Sequence, residues 1–159
     1  MTIPPPLLTN LHTPAVCHTS DEPVSSSQSS SSVPQEEIIF SVIIPHKNIP
    51  DLLQRCLDSI PRRKDIQIIV VDDDSDEDKV DFSRFPCLDD EHVETYLTKE
   101  SKGAGYARNI GLTYAKGEWL LFADADDFFT EGAFDHFFAA RTLPHEIIYF
   151  KSESCFLDT

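Results

Sequence analysis

The chain has 159 residues, 40% of them hydrophobic, which is enough for one modest domain and too few for two large ones. Its 28 acidic and 13 basic residues give a net charge of −15. That argues against nucleic acid or an anionic membrane surface as partner, since both need Lys/Arg patches, and it favours cations as ligands.

Residues 1–37 carry "IPPPLL" and "DEPVSSSQSSSSVPQEE" and almost no periodic apolar pattern. Such a Ser/Pro-rich segment cannot bury enough surface to offset chain entropy, so a disordered tail or linker is expected, or else a Ser-rich regulatory tail. The start, "MTIPPPLL", lacks a basic region and a long apolar core, so no signal peptide is expected. No apolar run approaches the ~18–20 residues of a membrane span. Cys17, Cys56, Cys87 and Cys155 are scattered, with no CxxC pair or Cys/His cluster. Neither a zinc site nor a disulfide framework is indicated, and two of the four fall in predicted regular elements. That suits reduced thiols in a cytoplasmic compartment.

From Ile38 onward the pattern predicts one domain, 38–159. "IIFSVIIP" (38–45) is a β-branched apolar run ended by Pro45 and reads as a buried strand. "IPDLLQRCLDSI" (49–60) has Leu53, Cys56, Leu57 and Ile60 at helical spacing, with Pro50 suited to a first turn. "DIQIIVV" (65–71) is a second buried strand and "HVETYLT" (92–98) a third. "GAGYARNIGLTYAKG" (103–117) reads as a helix stopped by Gly117. "EWLLFA" (118–123) is a fourth strand, "EGAFDHFFAAR" (131–141) a helix with Thr130 as N-cap, and "EIIYF" (146–150) a last strand. Strands alternating with helices predict an α/β fold, a mainly parallel sheet with helices on both faces. In such sheets ligands bind beyond the carboxyl ends of the strands.

The acidic residues fall at those ends. Asp124, Asp126 and Asp127 follow the fourth strand, flanked by large apolar residues, so full solvation is not expected. A D-x-D on a rigid support offers hard oxygen ligands to Mn²⁺ or Mg²⁺, whose charge would remove the mutual repulsion. The plainer reading is a solvated turn with one Asp serving as cap or dipole partner. In "VVDDDSDEDKVD" (70–81) a calcium loop is excluded, because Glu77 stands where the loop needs Gly and Ser83 where it needs Glu. Asp76 to Asp81 reads as a solvated charge run. Asp72 and Asp73, nearest the strand end, could accept hydrogen bonds from a base or a ribose. "SKGAGYARN" (101–109) places two glycines before a helix, an arrangement that admits an anion, and Lys102 and Arg108 add positive charge. Arg108 could equally be a structural partner of Asp124 or Asp72.

Together, "FSVIIPHKN" (40–48), "IIVVDDDSDE" (68–77), "GAGYARNIGLTYAKGEWLLF" (103–122) and "ADADD" (123–127) resemble the nucleotide-binding half of the inverting family 2 glycosyltransferases with the Rossmann-like GT-A fold. The resemblance covers about residues 39–150. It implies that Pro45 lines the base and ribose pocket and that Asp73 binds the base. It also implies that Asp126 ligates Mn²⁺ or Mg²⁺ at the diphosphate, with Asp124 contacting the ribose or the ion through water. A nucleotide-sugar donor follows, most simply a UDP-sugar, with Lys102 and Arg108 near it and a glycan or lipid-linked acceptor. The implied reaction is inverting displacement at the anomeric carbon by an acceptor hydroxyl.

His46-Lys47 stand where the family often has an aromatic and a small residue after its Pro. The family's general base and acceptor-binding half come well after the D-x-D, so the expectation is a donor-binding half with the base beyond Thr159. Peripheral membrane association would then come through regions outside these residues, at the cytoplasmic face. Asp127, Glu153 and Asp158 are the carboxylates to test if turnover is found. Two rivals are a haloacid-dehalogenase-type phosphohydrolase, which also has Asp-x-Asp after an apolar strand, and a non-catalytic nucleotide-sugar-binding module.

Overall fold

The computed structural model describes residues 9–10, 37–144, 146–150 and 153. The chain divides into two compact units, residues 1–129 and 130–159. In the first, the elements are β1 (Thr9–Asn10), β2 (Phe40–His46), α1 (Pro50–Asp58), β3 (Ile66–Asp73), β4 (Val93–Thr98), α2 (Ala104–Tyr114) and β5 (Trp119–Phe122). They form one sheet in the order β1-β4-β3-β2-β5. Strands β2 to β5 are mutually parallel.

Strands β2 and β3 are buried at every position, as their β-branched runs require of a sheet covered on both faces. On one face Ile43, Ile69, Val71 and Tyr96 pack with Ala107 and Ile110 of α2. Gly111 lets α2 approach closely, since a Cβ there would stand 2.5 Å from Ile43 Cγ2. On the other face lie the residues of opposite parity, among them His46, which meets the first amide of the α1 region. Helix α1 opens with Pro50 and buries Leu53, Cys56 and Leu57. Helix α2 opens after Gly103 at φ 87°. No helix among the described residues is long and apolar enough to cross a membrane.

Several sequence expectations need correction. Strand β2 does not stop at Pro45 but runs through it to His46, in register with Asp72. Proline lacks only the amide donor, and its carbonyl can still serve the ladder. Helix α2 ends at Tyr114, with extended backbone at Ala115, rather than at Gly117. Gly117 serves a close approach instead: a Cβ there would stand 2.5 Å from the Ser41 amide nitrogen. Within the segment expected to be unstructured, Thr9 and Asn10 pair antiparallel with Leu97 and Tyr96. The outer edge of β4 offers unpaired backbone groups that extended chain of any composition can meet. The rest of 1–36 lies outside the described residues.

The second unit contains α3 (Ala133–Ala140), whose Phe134 and Phe137 rings meet edge to face. Its N-cap is Gly132, in the left-handed conformation, not Thr130; the Thr130 carbonyl accepts from Ala133 N. Residues 146–150 were expected to form a strand and do not. They pair with no other strand among the described residues, and Ile147 and Tyr149 are 71% and 91% exposed. An apolar run becomes a strand only where a neighbour supplies the ladder bonds.

Candidate active site

Because β2 to β5 are parallel, their carboxyl ends and the loops after them share one edge of the sheet. The connection after β2 leads to one side of that strand, through β3 and β4, and β5 returns on its other side. This is the switch point at which open α/β sheets form a crevice.

Asp72 and Asp73 end β3, and strand alternation sends their side chains to opposite faces. Both are buried. Asp72 faces α1. Its Oδ2 accepts from His46 Nδ1 at 2.7 Å, while His46 Nε2 accepts from the Ile49 amide at 3.2 Å. These two bonds fix the neutral tautomer with its proton on Nδ1. Ser75 donates to the same carboxylate from its amide (2.9 Å) and its hydroxyl (2.5 Å). Its hydroxyl oxygen accepts from Asn48 N at 2.8 Å. Asn48 and Asp76 then exchange hydrogen bonds of 2.9 and 2.7 Å. Hydrogen bonds from Lys79, then from Asn48, hold the Asp76 carboxyl below its ordinary range. Asp76 is thus more than part of a solvated run: it fastens the loop after β2 to the loop after β3. Asn48 and Ser75 escaped the sequence reading, and His46 entered it only as a departure from the family pattern, since a polar relay leaves no periodic trace.

Asp73 faces α2. Its two carboxylate oxygens accept from Lys102 N at 3.0 Å and Gly103 N at 2.5 Å. It therefore shapes the turn that opens α2, and each oxygen keeps a lone pair for a further donor. Lys47 joins the same corner, its Nζ donating to the Asp73 carbonyl (3.0 Å) and to Ser101 Oγ (2.6 Å). The lysine thus closes the gap between two loops. Asn48, Asp74, Ser101 and Gly103 all have positive φ, at 62°, 62°, 47° and 87°. Such conformations gather where the surroundings over-determine the backbone, and functional sites are the common case. Lys102 points its ammonium at Glu100 (2.6 Å), 4.8 Å from the Tyr106 ring centroid.

The acidic loop after β5 departs from expectation in one respect. Asp124, Asp126 and Asp127 are exposed, as are Phe122 and Phe128, while Ala123 and Ala125 between them are buried. The large apolar neighbours do not desolvate the carboxylates; only the small residues between them are buried. Of the two partners open to Arg108, the structure selects Asp124, with Nη2 donating to its Oδ1. From the other face, Arg55 Nη2 donates to the Asp126 carbonyl at 2.6 Å, and Phe129 N donates to Ser59 Oγ at 3.0 Å. Burial, then the nearby Asp127 carboxylate, pushes the Cys56 thiol up to about 12, with Asp126 and Asp124 adding to the effect against Arg55. Cys56 is therefore an inert packing residue beneath the loop.

The edge brings together Pro45, Asp73, Lys102, Arg108, Asp124 and Asp126. Glu153 is exposed in the second unit, and Asp158 lies outside the described residues. Among the described residues no three His, Cys, Asp or Glu side chains are grouped to hold a metal. Two exposed carboxylates two residues apart still fit a hard cation that takes its other ligands from phosphates and water, as Mg²⁺ usually does. Asp126 is the better placed, because Asp124 already shares an oxygen with Arg108.

Residues 41–156 match Glycosyl transferase family 2. The chain belongs to that family. The match removes the phosphohydrolase alternative. Among relatives, the poly(ribitol-phosphate) beta-glucosyltransferase of Bacillus spizizenii is 37% identical over 94 residues, 56% of this chain and 15% of its own length. The GalNAc(5)-diNAcBac-PP-undecaprenol beta-1,3-glucosyltransferase of Campylobacter jejuni is 36% identical over 97 residues, 59% of this chain and 31% of its own. S. aureus TarS 1-349 in complex with UDP-GlcNAc superposes with a TM-score of 0.54 at 27% identity, over 64% of this chain and 30% of that one. The mannosyltransferase PcManGT from Pyrobaculum calidifontis, in complex with GDP-Man and Mn²⁺, gives 0.57 at 25% identity, over 70% and 34%. The chain thus spans about a third or less of these relatives.

Proposed function

We propose that these residues form the donor-binding part of an inverting, metal-dependent glycosyltransferase. The observation that carries this reading is that Asp73 holds the turn that opens α2, while Arg108 of the same helix reaches the exposed Asp124 of the acidic loop. The turn leaves backbone N–H groups at a helix start, which favour phosphate. A cation on Asp126 and Asp124, Mn²⁺ or Mg²⁺, would neutralise charge growing on the leaving diphosphate. The chain's own residues have distinct tasks. Asp73 would offer acceptor oxygens to a base N–H, and Pro45 would line the base and ribose pocket. Arg108 and Lys102 bring positive charge to a protein of net charge −15.

The donor is read as a nucleotide-sugar, a UDP-sugar by preference, because relatives of similar fold bind UDP-GlcNAc or GDP-Man. A glycan or lipid-linked acceptor is read from the relatives' names. The free thiols Cys56 and Cys87 suit the reducing cytoplasmic side.

The test is thermal. UDP should raise Tm only when Mn²⁺ is present, since an uncompensated diphosphate meets an acidic edge. Asp73→Ala should abolish the shift, and Asp126→Asn should weaken Mn²⁺ binding far more than Asp78→Asn. UDP protection that survives in Asp73→Ala removes the base contact. Equal Mn²⁺ losses in the two Asn variants remove the cation site.

A further inference from the structure

Arg55 lies in α1, on the opposite face of the sheet from α2 and Arg108. Its guanidinium serves the acidic loop rather than its own helix. Nη2 donates to the Asp126 carbonyl at 2.6 Å, and the guanidinium carbon lies 5.1 Å from the Phe128 ring centroid. Its Nε is buried without a hydrogen-bond partner. An unsatisfied buried donor is a cost, so this arginine is held where it is by what its far end does. Beyond it, Ser59 Oγ donates to the Cys56 carbonyl at 2.6 Å and accepts from Phe129 N at 3.0 Å. The end of α1 therefore grips the loop at residues 126 and 129, while Asp124 and Asp126 stay exposed.

We propose that Arg55 is a positioning residue for the cation site. By holding the Asp126 peptide it fixes where that carboxylate stands relative to Asp124, and Ser59 braces the same loop. The proposal rests on the reading of Asp124 and Asp126 as cation ligands. A purely electrostatic role makes the opposite prediction. A guanidinium near a cation repels it, so its removal would tighten metal binding. Loss of a strut behind a ligand loosens binding instead, typically by ten- to a hundredfold for partners of metal ligands. The sign of the change separates the two.

The experiment is calorimetric titration of Mn²⁺ into the full 159-residue chain, with Tm measured alongside, for wild type, Arg55→Met, Arg55→Lys, Ser59→Ala and Asp126→Asn. Methionine keeps an apolar stem beside Phe128 and removes the donor and the charge. Arg55→Met should weaken Mn²⁺ binding about tenfold, with Ser59→Ala moving the same way by less. Arg55→Lys should recover much of the loss, because a single ammonium donor suffices for a carbonyl. Unchanged or tighter binding in Arg55→Met overturns the proposal. If that variant does not fold, Ser59→Ala decides by the same criterion. A loss in Asp126→Asn without one in Arg55→Met overturns the proposal alone. Wild type and Asp126→Asn titrating alike remove the cation site and the proposal together.

Discussion

Asp72 and Asp73 are adjacent, both buried, and differently employed. Asp72 ties β2, α1 and the loop after β3 through His46 and Ser75, whereas Asp73 holds the turn into α2. Removing the imidazole would leave a buried carboxylate with Ser75 as its hydrogen-bond donor. His46→Ala should therefore lower the free energy of unfolding by about 3 kcal/mol, from the lost hydrogen bond to a buried carboxylate together with the cavity left by a buried ring. Urea unfolding measures this. A loss of about 1 kcal/mol or less, the net value of an ordinary hydrogen bond, would show that water replaces the histidine. The sequence pointed to Asp73 by its place after an apolar run and by resemblance. Strand pattern alone could not separate the two carboxylates, because the division depends on which helix covers which face. Lys47 was legible only as part of the His46-Lys47 departure from the family pattern, and its bridge to Ser101 joins residues that only the fold brings together.

The elements were more readable than the contacts between them. Runs such as "IIFSVIIP" and "DIQIIVV" announce buried strands by composition, and the helical spacing of Leu53, Cys56 and Leu57 marks α1. "EIIYF" has the same composition and forms no strand, since pairing is a property of two segments and the pattern belongs to one. The two packing glycines illustrate the same limit. At Gly111 an added Cβ meets Ile43 Cγ2 at 2.5 Å, a side-chain atom that can shift; at Gly117 it meets Ser41 N at 2.5 Å and the Phe40 carbonyl carbon at 2.7 Å, both main chain of β2. Gly111→Ala should cost about 1–3 kcal/mol for overpacking, offset by up to about 1 kcal/mol of helix propensity. Gly117→Ala should cost more, because a central strand would have to move. Chemical denaturation of the two variants checks the order, and a reversed order would place the rigidity in the helix instead.

At the scale of the whole molecule, the fold class and the edge carrying the candidate site could be read from the alternation of strands and helices alone. The sheet order could not, and it has a consequence in time. Strands β2, β3 and β4 pair with neighbours one crossover away, but β5 must find β2 past all of them, Phe40 opposite Trp119. Closing that long loop carries an entropic cost that the nearer pairings do not, and non-local strand pairing is slow. The half of the edge that carries Asp73 should accordingly be laid down before the half that carries Asp124 and Asp126. In pulsed hydrogen exchange during refolding, the Ile39 amide, which donates to Asp65, should gain protection before those of Trp119 and Ala123, which donate to Ile39 and Ile43. Simultaneous protection would mean a single concerted collapse. With the expected order, the chain passes through a stage in which the turn into α2 is built and the acidic loop is still unanchored. Under the proposed function, a nucleotide added early in refolding would meet Asp73 before the loop of Asp124 and Asp126 is in place.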